Sequence, residues 1–584
     1  MNGFVTYLNS LNNANSSNEN ALAEAQVTNQ YYKKFHVERD LGNYLAKELS
    51  KKPTCVILTG HAGDGKTSLV YQILKAVNIF DEKEGLKKYD QKFASELGRD
   101  FFYIKDMSEL SEQEQINLLK HALLGKTKGM SSIVVSNTGP LIETFRQLIK
   151  NGNINTVTEE EAEMKLLKLM DENVGQEANI GDFDILLVNM ARIDNVVLVP
   201  KFIDKITSDE LWITCETCPK RPVCPIYNNY NSVKENKRNI SLFATSYYRW
   251  LFESDRRLTI RQILAQLSYS MTGNQQCESI SENYGIERKF NYHFSNLFFG
   301  YIGIIAYEEA RQIRAIQELQ HLELDSKETS YDYDFFARND FSHLSSETQE
   351  IISSIWEKRM QKYKLKPTEY MLFEEPYLLR KAVRRMNILF GQYNKEGLNG
   401  LFNELFSPIF SNYLSFRENK WNIKESRILK STLYKALHYI LVGTHSKNDN
   451  DKIYLPLQRQ GTGMQNVQLL LGELNNNDIS VIQKYKESVF DAAENHYELY
   501  IGFTSKKEYK VPLMLLDYFN HIAKGAVSSK INPSLSHGID RMKSQLFSEY
   551  QYNDNEEIIR LLIHTLKGPK LVKLQIGESE IFVD

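Results

Sequence analysis

Residues 54–70, TCVILTGHAGDGKTSLV, constrain this chain more than any other stretch. Four apolar residues, Cys55, Val56, Ile57 and Leu58, lead into Gly60, His61, Ala62, Gly63, Asp64, Gly65, Lys66 and Thr67, and a helix-compatible run follows from Ser68. The order is strand, glycine loop, helix, and the loop carries the full G-x-x-x-x-G-K-[ST] pattern. Glycines let a backbone turn tightly and approach an anion, so that successive N–H groups face phosphate oxygens. The positive end of the following helix adds to the same field. On this reading residues 60–68 hold the phosphates of ATP, Lys66 reaches the β- and γ-phosphates, and the Thr67 hydroxyl ligates Mg²⁺. A plain turn between strand and helix would account for the glycines but not for Gly-Lys-Thr in that place.

Further strands are expected at 101–105, 132–136 and 184–189, with helical material between them, which indicates a parallel sheet covered on both faces. The run Phe101, Phe102, Tyr103, Ile104 ends at Asp106, where a carboxylate at a strand's C-terminal edge can hold Mg²⁺ through its water shell. Met107 stands where a water-activating acid usually follows, and Glu109 is the nearest alternative base. The strand at 132–136 ends in Asn137, a polar strand tip at the place where a resemblance to AAA+-type enzymes implies a sensor that orients the attacking water. Residues 151–182 are acidic and show no strand pattern, so they read as an insertion, and Asn189 and Arg192 mark the exit of the last strand. Residues 8–20, rich in Asn and Ser, read as a loose lead-in.

At 584 residues the chain should form several domains. Its net charge of -3 gives no global signal for nucleic acid. A local one lies in residues 379–390, where Arg380, Lys381, Arg384 and Arg385 share a helix face and form the best local candidate for phosphate contact, weighed against a solvated face. No apolar run is long enough to cross a membrane and no signal-peptide pattern is present, so a cytoplasmic protein is expected. Residues 255–273 read as an amphipathic helix with a basic first turn. Cations there oppose the helix dipole, which suits an external anion. The segment resembles the lid helix of AAA+ proteins, and that resemblance implies Arg261 as the γ-phosphate contact, with Arg256 and Arg257 as alternates or as fingers for a neighbouring subunit. Alternation typical of strands occupies 452–515, and a terminal hairpin is expected around Gly577.

Four of the five cysteines follow the expected sheet, as Cys215-x2-Cys218-x5-Cys224 and then Cys277. Tight, proline-punctuated C-x2-C spacing suits a tetrahedral zinc site with Cys277 as fourth ligand. An iron–sulfur cluster or free structural thiols are the alternatives.

The segment 35–49 before the glycine strand, together with the lid-like helix and the polar strand tips, is similar to the layout of AAA+-like and STAND ATPases. In those families the first of these segments lies near the adenine and such tips and arginines serve as sensors. The combination of GHAGDGKTS, DMSE, SNTGPL, the CxxC…CPIYNN knot and RRLTIRQILAQLSYSMTG more closely resembles the DptF family of DNA phosphorothioation-dependent restriction proteins, over roughly residues 35–300. That resemblance implies an ATP-hydrolysing component of a bacterial defence complex acting on DNA that lacks phosphorothioate, with DptG and DptH as partners. The expected organisation is an α/β P-loop NTPase core at 1–240 with a cysteine knot at 213–230. A helical lid at 241–300, a helical domain at 301–450 and a mixed α/β domain with a small β-rich part at 451–584 complete it. Self-assembly into a homo-oligomer is compatible with this layout. Two other functions compete: a nucleotide-switched scaffold with little turnover, and a metal-dependent nuclease built on Glu508-x-Lys510 with Asp491 and Glu498. The nuclease pattern is weak, because a chain this rich in charge produces several such triplets by chance.

Overall fold

A computed structural model describes residues 1–12, 29–81, 85–154, 156–172, 175, 177–281, 285–445, 452–457, 466–504, 507–526, 533–552, 558–565, 568–577 and 580–583. The chain divides into two compact units, one of residues 1–405 and 488–494, the other of residues 406–487 and 495–584.

The first unit is organised by a six-stranded sheet: β1 (Cys55–Thr59), β2 (Tyr89–Ala94), β3 (Arg99–Ile104), β4 (Ser131–Val135), β5 (Glu177–Ile180) and β6 (Phe183–Asn189). Its strand order is β2-β3-β4-β1-β6-β5. The four inner strands run parallel, with Val56 opposite Ile133 on one side and Leu186 on the other. Every residue of β1 and β4 is buried, which is why both read as unbroken apolar runs. Successive side chains feed two different layers. Cys55, Ile57, Val134 and Leu187 pack beneath the helices Glu112–Gly125, Thr138–Lys150 and Glu159–Glu172. Val56, Leu58, Ile133 and Val188 pack on the opposite face, beneath Asp40–Lys51 and Lys66–Ala76.

The sheet is mixed rather than purely parallel. Both edges are hairpin partners, β2 antiparallel to β3 and β5 antiparallel to β6. These two strands are half-exposed and polar, so they lack the buried-strand signature, and β5 falls inside the stretch expected to be an insertion without strands. The N-terminus also differs from expectation. Residues 8–12 complete a buried helix, Gly3–Asn12, in which Phe4, Tyr7, Leu8 and Leu11 face inward; residues 13–20 lie outside the described set.

The rest of the first unit is helical. The stripe Arg380, Lys381, Arg384, Arg385 on the helix Glu374–Phe390 is not a solvent-facing basic patch. Arg384 and Arg385 are 2% and 0% exposed. Arg385 pairs with Asp325 at 2.7 Å and donates to Asn296 and to the Gly303 carbonyl, while Arg384 pairs with Asp332. Lys381 reaches Asp325 at 3.4 Å, and Arg380 lies over the Phe336 ring. The acidic partners come from residues 322–347, whose charge reads as a polar interruption in the sequence but serves as the buried counter-charge for this helix.

The second unit carries the 20-residue helix Ile423–Val442, a three-stranded antiparallel sheet over 479–510 and a five-stranded antiparallel sheet that closes at the C-terminus. The terminal hairpin turns at Gly577, whose N–H donates to the Glu580 carbonyl at 2.9 Å. Among the described residues no helix is long and apolar enough to cross a membrane.

Candidate functional site

The glycine loop sits where β1 ends and the helix Lys66–Ala76 begins. Gly60, Gly63 and Gly65 have φ of +138°, +88° and +83°, conformations that side chains with a Cβ rarely adopt. Gly63 is constrained twice over, since a Cβ there would lie 2.9 Å from the Arg261 Cβ and 3.1 Å from the Thr259 hydroxyl oxygen. The loop and the first turn of the helix Ile260–Thr272 are therefore closely packed. The Arg261 N–H donates to the Gly63 carbonyl at 3.1 Å.

Asp64 braces the loop from within. Its carboxylate is fully buried, accepting from the His61 N–H at 3.0 Å and from Arg257 at 2.8 Å. Arg257 also donates to the carbonyls of Met190 and Ile193 just beyond β6, at 2.9 and 3.1 Å. One guanidinium thus fastens the segment preceding the helix Ile260–Thr272 to the loop and to the sheet. Arg256 pairs with Glu318 at 3.1 Å. Both alternates to Arg261 are thereby engaged within the chain. The Arg261 side chain itself lines the pocket beside the loop.

Lys66 is the centre of the site. Its ammonium donates to the carbonyls of Gly60 and His61, each at 2.9 Å, and to the Asn137 side-chain oxygen at 3.0 Å. Residues 71 positions apart in sequence thus meet at the loop mouth. Burial lowers the Lys66 pKa, the charges of Asp106 and Asp64 work against that shift, and Arg261 adds to it. Asp106 is accordingly within electrostatic reach of Lys66. One of its oxygens caps the turn Met107–Glu109, accepting from the Ser108 N–H at 2.9 Å and the Ser108 hydroxyl at 2.7 Å. The Glu109 carboxylate pairs with Lys105 at 3.0 Å. Asn189 ties the Met170 carbonyl to the Ala191 N–H, and Arg192 pairs with Asp171.

An apolar pocket opens beside the loop. Gly63, Gly65, Thr67 and Ser68 form one wall, and Tyr7, Tyr32, Phe35, Phe202 and Leu264 line the remainder. The Tyr32 hydroxyl donates to Ser68 at 2.9 Å. Segment 35–39 reaches this pocket through Phe35, His36, Val37 and Arg39. Burial lowers the His36 pKa to about 4, so its ring is neutral at pH 7, and its Nε2 has no hydrogen-bond partner among the described residues. Arg39 is 6% exposed, donates to the Asp64 carbonyl at 3.4 Å, and leaves its Nε unpartnered.

Tyr7 and Leu11 enter this pocket from the N-terminal helix, whose role the Asn/Ser-rich composition conceals. Their spacing with Phe4 and Leu8 (i, i+3, i+4, i+7) is the signal that reveals it. The Asp64–Arg257 pair carries no comparable sequence signal, since nothing in a sequence links two positions 193 residues apart.

The residues of the nuclease pattern are divided between the two units. Asp491 packs in the first unit, whereas Glu498, Glu508 and Lys510 belong to the second. There Lys510 pairs with Glu498 at 2.6 Å and Glu508 pairs with Lys484. The four cysteines of the knot are half-buried free thiols, while Cys55 is wholly buried in β1. Among the described residues no group of three or more His, Cys, Asp or Glu side chains stands in metal-binding geometry.

The fold and the site define an α/β protein with a lysine-bearing glycine loop at the C-terminal edge of a central parallel strand. Compared with protein-family models, with curated proteins and with solved structures, the chain finds no match in any of the three.

Proposed function

We propose that the glycine loop binds ATP and that the first unit is a P-loop NTPase core of the AAA+-like kind. The observation that carries this reading is the caged Lys66 ammonium, held by two loop carbonyls and by Asn137 at the tip of the neighbouring strand. Buried lysines are costly unless paired, and among the described residues this one has only neutral oxygens as hydrogen-bond partners, which an incoming phosphate would replace with full charge. The base would enter the apolar pocket beside Tyr7, Tyr32 and Phe35, and segment 35–39 would line it. Oxygen donors at Thr67 and Asp106 suit Mg²⁺, which would neutralise charge on the β- and γ-phosphates. Asn137 would orient the attacking water and Arg261 would contact the γ-phosphate.

The engagement of Glu109, the nearest carboxylate after Asp106 in sequence, with Lys105 favours a second reading, a nucleotide-switched scaffold with little turnover. In the cell the same chain would act as the ATPase of a restriction complex of the DptF type, directed at DNA lacking phosphorothioate through DptG- and DptH-like partners. DNA contact would come through that complex, since the basic helix is buried in ion pairs. Phosphate release by the purified protein, with and without unmodified DNA, separates the readings. Turnover that DNA stimulates and Lys66→Ala abolishes supports the ATPase; binding without turnover supports the switch.

A further inference from the structure

The five-stranded sheet of the second unit inverts the usual arrangement, in which the apolar side of an antiparallel sheet is packed and the polar side is wet. In the strand Gly568–Ile576 the residues Val572, Leu574 and Ile576 alternate with Lys573 and Gln575. Such period-two alternation marks the apolar side as the one to be buried. Pairing carries that side across the neighbouring strands, because residues directly opposite one another share a face. Val572 stands opposite Leu561, and Leu561 opposite Leu469. Leu574 stands between Ile559 and Val583, and Ile576 is paired with Ile581.

This face is nonetheless open to solvent. Val467, Leu469, Ile559, Ile576, Ile581 and Val583 are between 39% and 71% exposed. Burial occurs on the other side of the same strands, at Leu470 and Leu562. The longer stretches of this unit outside the described residues, 446–451, 458–465, 527–532 and 553–557, are polar in sequence and contain no apolar run that could lie on the face. Across positions 559–563 and their partners on the adjoining strands, every residue of the face is aliphatic except Lys570, which stands opposite Ile563 at one corner.

We propose that this face joins two copies of the chain, each packing the same aliphatic surface against the other about a twofold axis. Area supports a second copy. Four strands at about 4.8 Å spacing, with about five residues at about 3.4 Å rise, give a footprint of roughly 300 Å². The accessible apolar area of so corrugated a surface is on the order of 500 Å². A stable interface of standard size takes about 800 Å² from each partner, and in homodimers about 65% of it is apolar. The face thus supplies the apolar core of such an interface, and its polar margin supplies the rim. Chemistry points the same way. A flat aliphatic surface with one charge at its corner sets no charge pattern for a different protein to match, whereas it is complementary to itself, as a twofold contact requires. Two such faces interdigitate about 10 Å apart, as the sheets of a sandwich do.

Sedimentation velocity on the full chain tests this without nucleotide, so its outcome is independent of the proposed ATPase. At tens of micromolar the wild type should sediment at twice the mass of one chain. Ile581→Lys combined with Val583→Lys, at the two most exposed positions of the face, should raise the dimer dissociation constant by at least about 10-fold. Phe582→Lys lies between them on the opposite side of the strand and should leave that constant unchanged. In case the short terminal strand loses order in these variants, Val467→Lys puts the same charge on a different strand of the face and should also dissociate the dimer. A wild type that stays monomeric would overturn the proposal and leave the face to a different protein. A dimer that survives both sets of substitutions would also overturn it, as would one that Phe582→Lys dissociates equally, which would put the contact at the strand edge.

Discussion

Replacing Arg257 by Ala should destabilise the first unit by about 3–5 kcal/mol, the range for removing one partner of a buried ion pair. The figure follows from what remains. Asp64 is 0% exposed, and of its two oxygens one keeps the His61 N–H at 3.0 Å while the other keeps only the Asn195 amide at 3.5 Å. The carboxylate cannot be rehydrated in place, so the variant must retain a nearly unpaired buried charge, protonate it or open the loop. Asp64→Asn should cost less, because an uncharged amide can remain buried beside Arg257, whose bonds to the Met190 and Ile193 carbonyls survive. A double-mutant cycle isolates the pair, and the double variant should be markedly less destabilised than the sum of the singles. Urea unfolding followed by tryptophan fluorescence is a suitable assay. Trp212, Trp250 and Trp356 lie in the first unit and Trp421 in the second, so a Trp421→Phe background reports the first unit alone. An Arg257→Ala change within about 0.5 kcal/mol, or strict additivity in the cycle, would refute the argument that this pair braces the loop.

Other expectations follow from the same physics. Glu494, within the segment 488–494 that packs in the first unit, has its pKa raised to about 7 by burial and by Asp194, with Arg39 opposing. A raised carboxyl pKa favours the folded state below the unfolded value near 4.5, and that advantage is lost as pH rises through 7. Glu494→Gln should therefore gain on wild type by an amount on the order of 2–3 kcal/mol between pH 4.5 and pH 8, and a pH-independent difference would contradict this. Arg385→Ala should lose about 3 kcal/mol or more of stability by stranding Asp325, measured by the same unfolding assay. DNA affinity, measured at matched salt, should be unchanged in any folded variant of this helix. Asp106→Asn should raise the Mg²⁺ concentration needed for half-maximal nucleotide binding by several-fold; an unchanged Mg²⁺ dependence would remove Asp106 from the metal's surroundings.

The sequence is most informative where chemistry and local pattern coincide. Buried on both faces, β1, β3, β4 and β6 announce themselves as apolar runs, and Lys66, Asp106 and Asn137 stand at the strand ends or loop where the pattern places them. Edge strands β2 and β5 are legible only in three dimensions, since half-exposed polar strands share their composition with loops. The Arg380–Arg385 stripe shows the opposite failure. Helical spacing locates the four cations on one side correctly, but whether that side meets solvent or Asp325 and Asp332 depends on tertiary packing. Asp64 illustrates a third case: it lies within the loop motif, yet its partner Arg257 is fixed by the close approach of the helix Ile260–Thr272 to Gly63, which no local pattern encodes.

The central claim, that Lys66 and its loop form an ATP site, is tested most directly by calorimetric titration of the full chain with ATP in the presence of Mg²⁺. The account predicts saturable binding at a single site, weakened about 10–100-fold in Lys66→Ala through loss of a charge-assisted contact. No saturable binding by the wild type, or equal affinity in the two proteins, would contradict it.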